Sequence, residues 1–112
     1  MSISVEQYHA SVNEHSLQVA VLQHVNMRGK PGVRAVAIPN AARRTPYIGR
    51  RMKDEGLLPG MPDLIIIMPA GRVAWLELKS KRGRLRPQQR GLQAWLTNIG
   101  HIYGVAKTLD EA

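Results

Sequence analysis

Two short apolar runs on either side of a turn constrain the fold of this chain more than any other feature. Leu64 to Met68 and Val73 to Leu76 are rich in β-branched or aromatic side chains, and the turn residues Pro69, Ala70 and Gly71 lie between them. Runs of this length and composition are typical of buried strands. The sequence therefore predicts a β-hairpin with a three-residue loop.

Counting outward from this loop brings charged side chains together. If Met68 pairs with Arg72, then Asp63 lies opposite Glu77, with the two side chains starting only ~5 Å apart. Lys79 points to the same face as Glu77, because strand side chains alternate. Two adjacent carboxylates repel each other, and a hard divalent cation would relieve that repulsion. An ordinary hairpin with solvated charges at its ends is the alternative, but the polar Glu77 and Lys79 at the end of an apolar run favour a site.

The residues around this hairpin resemble a known nuclease signature. Pro62-Asp63 followed by Glu77-Leu78-Lys79 is similar to the PD-(D/E)xK motif. The Gly60-Met61 dipeptide before this motif and the later Pro87-Gln88-Gln89 segment resemble the VRR-NUC branch of that superfamily. The resemblance implies an α/β fold with a restriction-endonuclease-like core, in which helices flank a mixed β-sheet.

The same resemblance, which extends from about Glu14 to about Val105, implies an activity. Proteins similar to this one are metal-dependent DNA endonucleases that use Mg²⁺ or Mn²⁺ to hydrolyse phosphodiester bonds. Small free-standing members of the group work as homodimers on branched DNA such as four-way junctions. Residue by residue, the resemblance implies a catalytic lysine and three metal ligands, one of them a backbone carbonyl: Lys79, Asp63, Glu77 and Leu78.

Glu14 and Gln89 are two further candidates by resemblance. A first-helix glutamate faces the metal in similar families, and Glu14 is the best match, with Glu6 as the alternative. Glu14 shares a helix face with Leu17 and Val21, next to the apolar stripe expected to pack on the sheet. A capping box that ends at Glu14 is the other interpretation of that residue. Gln89 matches the family's glutamine and is predicted to bond the lysine, a water or DNA, or else to be solvated.

A strong positive charge points to a polyanionic partner. Lys and Arg number 16 against 8 Asp and Glu, which gives a formal net charge of +8. Nucleic acid is the partner that such a charge favours. Basic side chains that flank the hairpin are predicted to follow DNA phosphates or, alternatively, to be merely solvated: Arg43, Arg44, Arg50, Arg51, Lys53, Lys81, Arg82, Arg84 and Arg86.

The remaining patterns predict one domain over residues 1–112. Outside the hairpin its elements are a helix from Ser4 to Met27, a strand from Val33 to Pro39, a short helix from Pro46 to Glu55, a helix beginning at Pro87 and a strand from His101 to Lys107. Apolar residues at helical spacing in the last helix are predicted to be core: Leu92, Trp95, Leu96 and Ile99. The sequence has no cysteine and no apolar run of membrane-spanning length, so we expect a cytoplasmic protein without disulfides or thiolate zinc sites.

Three function classes are compatible with these features. The first is a structure-selective DNA nuclease, favoured over a sequence-specific restriction enzyme because a chain of this size leaves no second segment to read bases in a groove. A non-catalytic basic DNA-binding module that keeps the fold is the alternative, and a basic protein of ribonucleoprotein assemblies is the third. The joint presence of Asp63, Glu77 and Lys79 favours the nuclease.

Overall fold

The computed structural model describes residues 5–39, 46–80 and 83–109, with side chains for residues 14–39, 50–80 and 83–109. The elements follow the predicted order of helix, strand, short helix, hairpin, helix and strand, and their ends lie within two residues of the predicted ones. They are α1 (Val5–Arg28), β1 (Arg34–Ala37), α2 (Pro46–Asp54), β2 (Leu64–Ile67), β3 (Val73–Leu78), α3 (Pro87–Asn98) and β4 (Ile102–Ala106).

The four strands form one mixed sheet in the order β1-β2-β3-β4. β1 and β3 are each antiparallel to β2, whereas β4 runs parallel to β3 and is reached through α3. This arrangement confirms the mixed α/β fold expected from the sequence. The predicted hairpin register is also correct, since Leu64 pairs with Leu76 and the Met68 N–H donates to the Arg72 carbonyl at 2.9 Å.

The two faces of the sheet have different roles. On one face, α1 covers a buried cluster to which β2, β3 and β4 also contribute: Val21, Leu64, Leu76, Leu78 and Ala106. Because side chains alternate along a strand, Glu77 points away from this cluster. A hydrogen bond joins Glu77 to Gln89 of α3, so α3 lies on the opposite face from α1. The charged side chains of β3 thus lie on the opposite face of the same strand from its core side chains.

The predicted core positions of α3 are only partly correct. Leu96 is buried and Leu92 is half-buried, but Trp95 and Ile99 are 50% and 57% exposed. Ile102, three residues after Ile99, is also 57% exposed. α3 therefore buries one narrow side and leaves Trp95 and Ile99 exposed, whereas Ile102 lies on the other face of the sheet, since it pairs with Ala74, two residues before Leu76.

The outer edge of β1 is partly closed by a side chain of α1. Asn26 Oδ1 accepts a hydrogen bond from the Ala35 N–H at 2.9 Å, and Asn26 Nδ2 donates to the Ala35 carbonyl at 3.4 Å. These bonds occupy backbone groups that would otherwise invite another strand. Among the described residues, no helix combines the length and apolarity of a membrane-spanning segment.

Candidate active site

Asp63 is fixed in place by bonds from the strands on both sides of it. Its carbonyl accepts a hydrogen bond from the Ile38 N–H at 2.8 Å, just beyond β1. Its Oδ2 accepts one from the Leu78 N–H of β3, also at 2.8 Å. Asp63 is the residue before β2, so its carboxylate continues the hairpin's bonding where the backbone ladder ends. The side chain is therefore held across the end of the hairpin next to Glu77.

Glu77 is a buried carboxylate with one satisfied and one unsatisfied oxygen. It is only 2% exposed. Its Oε1 accepts a hydrogen bond from Gln89 Nε2 at 3.0 Å and lies 3.8 Å from Lys79 Nζ. Its Oε2 is buried and has no hydrogen-bond partner within the described part of the chain. A buried oxygen left this way is costly, and such groups are usually paired with water, an ion or a ligand.

Burial and neighbouring charge hold Glu77 in its neutral form. Burial is the largest cause and the charge of Asp63 the next, and together they raise the pKa of Glu77 to about 8, against the opposing effect of Lys79. A side-chain hydrogen bond with Asp63 and, as the smallest cause, the charge of Glu14 also raise this pKa. A cation beside Oε2 would favour the ionised form.

Lys79 is buried at the end of β3, on the same face as Glu77. Its N–H donates to the Ala106 carbonyl of β4 at 3.0 Å, so the neighbouring parallel strand fixes its backbone. This bond extends the pairing of β3 and β4 beyond Leu78. The predicted meeting of two carboxylates and one ammonium at the open end of the hairpin is therefore observed.

Glu14 lies beside the same site, and its capping interpretation is wrong. α1 begins at Val5, so Glu14 is well inside the helix and has no free helix end to cap. Its Oε1 instead accepts a hydrogen bond from the Ser80 N–H at 3.1 Å, immediately after Lys79. Glu6, the alternative candidate for the metal-facing glutamate, belongs to α1, but its side chain is not among those that the structure describes.

Gln89 is buried rather than solvated, and it bonds Glu77 rather than the lysine. Its Oε1 accepts a hydrogen bond from the Arg86 N–H at 2.8 Å, while its Nε2 donates to Glu77. The first turn of α3 is therefore tied to β3 through one side chain. Because both ends of the amide are bonded, Gln89 also fixes which oxygen of Glu77 is left free.

A glycine keeps this turn of α3 close to Asp63. Gly60 has φ +87°, a left-handed conformation that glycine adopts without strain. A Cβ at Gly60 would lie 2.9 Å from the Gln88 carbonyl carbon. The glycine of the Gly-Met-Pro-Asp segment thus allows the loop before Asp63 to touch the backbone of α3.

The site residues fit a hydrated divalent cation better than a cage made of protein alone. Within the described residues, no three His, Cys, Asp or Glu side chains lie close enough to form a metal site by themselves. Mg²⁺ and Mn²⁺ are commonly held by one or two carboxylates, with waters and a substrate phosphate as the other ligands. The unpaired Glu77 Oε2 and the neighbouring Asp63 meet this requirement. The Leu78 carbonyl lies on the same side of β3 as the Leu78 N–H that bonds Asp63, which is compatible with a ligand role.

Tyr103 is a residue of this site that the sequence analysis did not identify. It pairs with Trp75, two residues before Glu77, and so lies on the same face of the sheet. Its hydroxyl is buried without a hydrogen-bond partner among the described residues. Burial, then Glu77, then Asp63 raise the pKa of Tyr103 to about 12. No local pattern marks it, because its position depends on the pairing of parallel strands separated by α3.

The predicted DNA-binding residues are partly described. Those with described side chains are exposed: Arg50, Arg51, Lys53, Arg84 and Arg86. Arg51 forms an i,i+4 ion pair with Glu55 at 3.1 Å, and both side chains are mostly in solvent. The other four predicted contacts, Arg43, Arg44, Lys81 and Arg82, lie outside the described residues.

Comparison with known proteins identifies the family of this chain. The family model of the VRR-NUC domain matches residues 4–108. A solved structure described as a VRR_NUC domain protein has a TM-score of 0.67 and 23% identity, over 88% of this chain and 79% of its own. Another, described as a VRR_NUC domain, has a TM-score of 0.62 and 17% identity, over 88% and 87% of the two chains. No curated protein sequence gives a significant match. The structures share the fold and the family match spans nearly the whole chain, so the chain belongs to the VRR-NUC domain family, whose members are generally DNA-binding nucleases.

Proposed function

We propose that this chain is a Mg²⁺- or Mn²⁺-dependent endonuclease that hydrolyses phosphodiester bonds in branched DNA and works as a homodimer. One observation carries the proposal, namely the buried Glu77 with an unpaired Oε2 beside Asp63 and Lys79. In a metal-free protein this arrangement is unfavourable, because burial and a like charge both oppose ionisation of the carboxyl group. Such an arrangement is expected where a cation completes the site.

The chemistry follows from the residues around this carboxylate. A bound divalent cation would polarise the phosphate and lower the pKa of water. Asp63 and Glu77 would hold it, helped by the Leu78 carbonyl and by Glu14 directly or through a water. The bonds from Ile38 and Leu78 to Asp63 keep its carboxylate in one orientation before substrate arrives. Such preorganisation lowers the cost of reaching the transition state.

Lys79 and Gln89 would act on opposite sides of the same carboxylate. Lys79 is buried next to Glu77 Oε1, where its ammonium is positioned to orient the attacking water or to stabilise charge at phosphorus. Gln89 donates to that same Oε1, which leaves Oε2 as the oxygen available to a cation. In this mechanism Lys79 and Asp63 contact the reacting groups, and the amide of Gln89 orients the glutamate.

The charge distribution supports DNA as the substrate. The formal net charge of +8 arises from basic residues on several segments. Exposed Arg84 and Arg86 lie between the end of β3 and the start of α3, in the segment that links Lys79 to Gln89. Positive side chains in such a position would neutralise phosphates on either side of the scissile bond. The same basic residues would carry most of the binding free energy.

Exposed apolar side chains at the end of α3 and on the edge strand β4 support a homodimer: Trp95, Ile99 and Ile102. The other edge of the sheet, at β1, is partly closed by Asn26. Large exposed apolar groups that adjoin an edge strand are typical of an association surface. A symmetric dimer would present two sites to two strands of one junction. Sedimentation of the Trp95→Ser protein as a monomer, beside a wild-type dimer, would support this assignment.

The test is cleavage of labelled DNA by purified protein. A four-way junction, a flap, a single strand and a plain duplex of related sequence would each be incubated with Mn²⁺, with Mg²⁺ or with chelator. We expect metal-dependent cutting of a branched substrate, and a loss of at least about 100-fold in rate for Lys79→Ala and Asp63→Ala. The exposed Lys30→Ala and Asp54→Ala substitutions are the matched controls and should leave the rate unchanged.

The same experiment separates the alternatives. DNA binding should survive in Asp63→Ala, because it rests on the basic surface. Metal-dependent cutting that persists in Asp63→Ala would refute the assigned site. Tight, salt-sensitive binding with no cutting of any substrate by the wild-type protein would favour the non-catalytic DNA-binding module.

A further inference from the structure

Two buried side-chain oxygens without a hydrogen-bond partner lie in the same part of the molecule. Across the described residues, the only buried side-chain N or O atoms left unpaired are Glu77 Oε2 and the Tyr103 hydroxyl. Buried hydroxyls nearly always find a partner, because leaving one unpaired forfeits its hydration. Two exceptions in one small domain call for one explanation if they are neighbours.

The strand register makes them neighbours. Tyr103 pairs with Trp75 and Val105 pairs with Glu77, in the parallel ladder of β3 and β4. Tyr103 and Glu77 are therefore diagonal neighbours on the same face of adjacent strands, within reach of a long aromatic side chain. The charges of both Glu77 and Asp63 act on the Tyr103 hydroxyl, which places it in the field of the two carboxylates.

The two atoms nevertheless do not bond each other. Each lacks a partner among the described residues, so both remain available to the same polar occupant. The other oxygen of Glu77 is already engaged by Gln89 and lies near Lys79, so Oε2 is the atom that faces an occupant. An occupant that satisfies both atoms must form a hydrogen bond with a phenol and attract a carboxylate. A hydrated divalent cation has both properties, since the cation attracts the carboxylate and its bound waters donate hydrogen bonds that the phenol oxygen can accept.

We propose that Tyr103 is a positioning residue of this site. Its hydroxyl supports a hydrated divalent cation that Glu77 holds, and it acts through a hydrogen bond rather than as a direct ligand of the metal. The inference rests on the proposed metal-dependent function and adds β4 to the elements that build the site. A phenol that stays protonated at neutral pH is a hydrogen-bond partner for a bound water rather than an anionic ligand. Partners of this indirect kind orient the ligands that a metal does contact.

The test compares metal affinity with metal-free stability in the Tyr103→Phe protein. Mn²⁺ binding would be measured by isothermal titration calorimetry in the absence of DNA, and stability by urea unfolding in chelator. We expect Mn²⁺ to bind about 10-fold more weakly, as is usual when such an indirect partner is removed. We also expect the metal-free variant to unfold at the same or a higher urea concentration, because the substitution removes an unpaired buried hydroxyl and nothing else.

A purely structural hydroxyl would give the reverse result, with a lower urea midpoint and unchanged Mn²⁺ affinity. Thr97→Val is the matched control, since it removes an exposed hydroxyl on α3 and should change neither measurement. Glu77→Gln should abolish Mn²⁺ binding. Equal Mn²⁺ affinity in wild-type and Tyr103→Phe proteins would overturn the role of Tyr103 alone. No Mn²⁺ binding to the wild-type protein would overturn the metal-dependent function, and this inference with it.

Discussion

The neutral Glu77 predicts that the metal-free protein loses stability as the pH rises from acidic to neutral values. In the folded protein the pKa of Glu77 is raised to about 8, whereas its ordinary value is 4.5. Between these pH values the unfolded chain has released the proton and the folded chain still holds it. The stabilisation from the bound proton is complete below pH 4.5 and is lost as the pH rises towards 8.

The size of the effect follows from proton linkage. One proton retained only by the folded state changes the free energy of unfolding by about −1.4 kcal/mol for each pH unit. Between about pH 5.5 and about pH 7.5 the contribution of Glu77 is therefore a loss of about 2.7 kcal/mol. This is a large share of the roughly 5–15 kcal/mol that stabilises a typical domain. With a urea m-value of about 1–3 kcal/mol/M, the unfolding midpoint should fall by about 1–3 M.

The assay is urea unfolding in chelator at several pH values, for the wild-type protein and for Glu77→Gln. The amide has the same shape as the carboxyl group and cannot titrate. The free energy of unfolding of Glu77→Gln should therefore lack the Glu77 contribution, and its slope against pH should differ from that of wild type by about 1.4 kcal/mol per pH unit. Glu55→Gln is the matched control, because Glu55 is mostly exposed and its removal should leave the wild-type slope intact. Saturating Mn²⁺ should restore stability at neutral pH only in proteins that retain Glu77.

Parallel pH curves for the wild-type and Glu77→Gln proteins would refute the reasoning. That result would mean that Glu77 titrates alike in the folded and unfolded chains, and that burial beside Asp63 does not oppose its charge. A stability that rises with pH in wild type relative to the variant would be a stronger contradiction. It would show that the folded protein favours the ionised carboxylate without any added cation.

Two further predictions concern backbone packing around the site and at the sheet edge. Gly60→Ala should destabilise the protein by about 2 kcal/mol or more and weaken Mn²⁺ binding, because it puts a side chain on a left-handed residue and against the Gln88 backbone. Gly56→Ala is the control, because Gly56 has φ +104° and open space around it, so this variant measures the cost of the backbone conformation alone. Asn26→Ala should cost about 1–2 kcal/mol in urea unfolding, because it frees the Ala35 backbone groups, while the cleavage rate of folded protein stays unchanged. An unaltered urea midpoint in Gly60→Ala or in Asn26→Ala would contradict the contact that the substitution is meant to disrupt.

The hairpin and its register could be predicted because their determinants are local. Alternation along β3 and the three-residue loop leave one register that keeps Leu64 and Leu76 in the core. That register then brings Asp63 next to Glu77 without further information. The same local reasoning places Lys79 correctly, since it needs only a step of two residues along one strand.

Features set by packing between distant elements could not be predicted. The helical spacing of Trp95 and Ile99 shows an apolar stripe, but it does not show how much of that stripe the sheet covers. Tyr103 contacts the site only because β4 returns parallel to β3 after the α3 crossover. The partner of Gln89 likewise depends on where the first turn of α3 comes to lie. These are consequences of tertiary structure rather than of any pattern in the sequence.

The strand β3 explains why the core and the candidate site constrain each other. Leu76 and Leu78 are buried against α1, while Glu77 and Lys79 are buried on the other face. A slip of one residue in the pairing of β3 would move the carboxylate and the ammonium into the apolar cluster, where no described group could pair with them. The cost of burying those charges in the core therefore selects the register that assembles the site. The leucines in turn keep Glu77 buried on its own face, which raises its pKa and leaves it dependent on a cation for its ionised form.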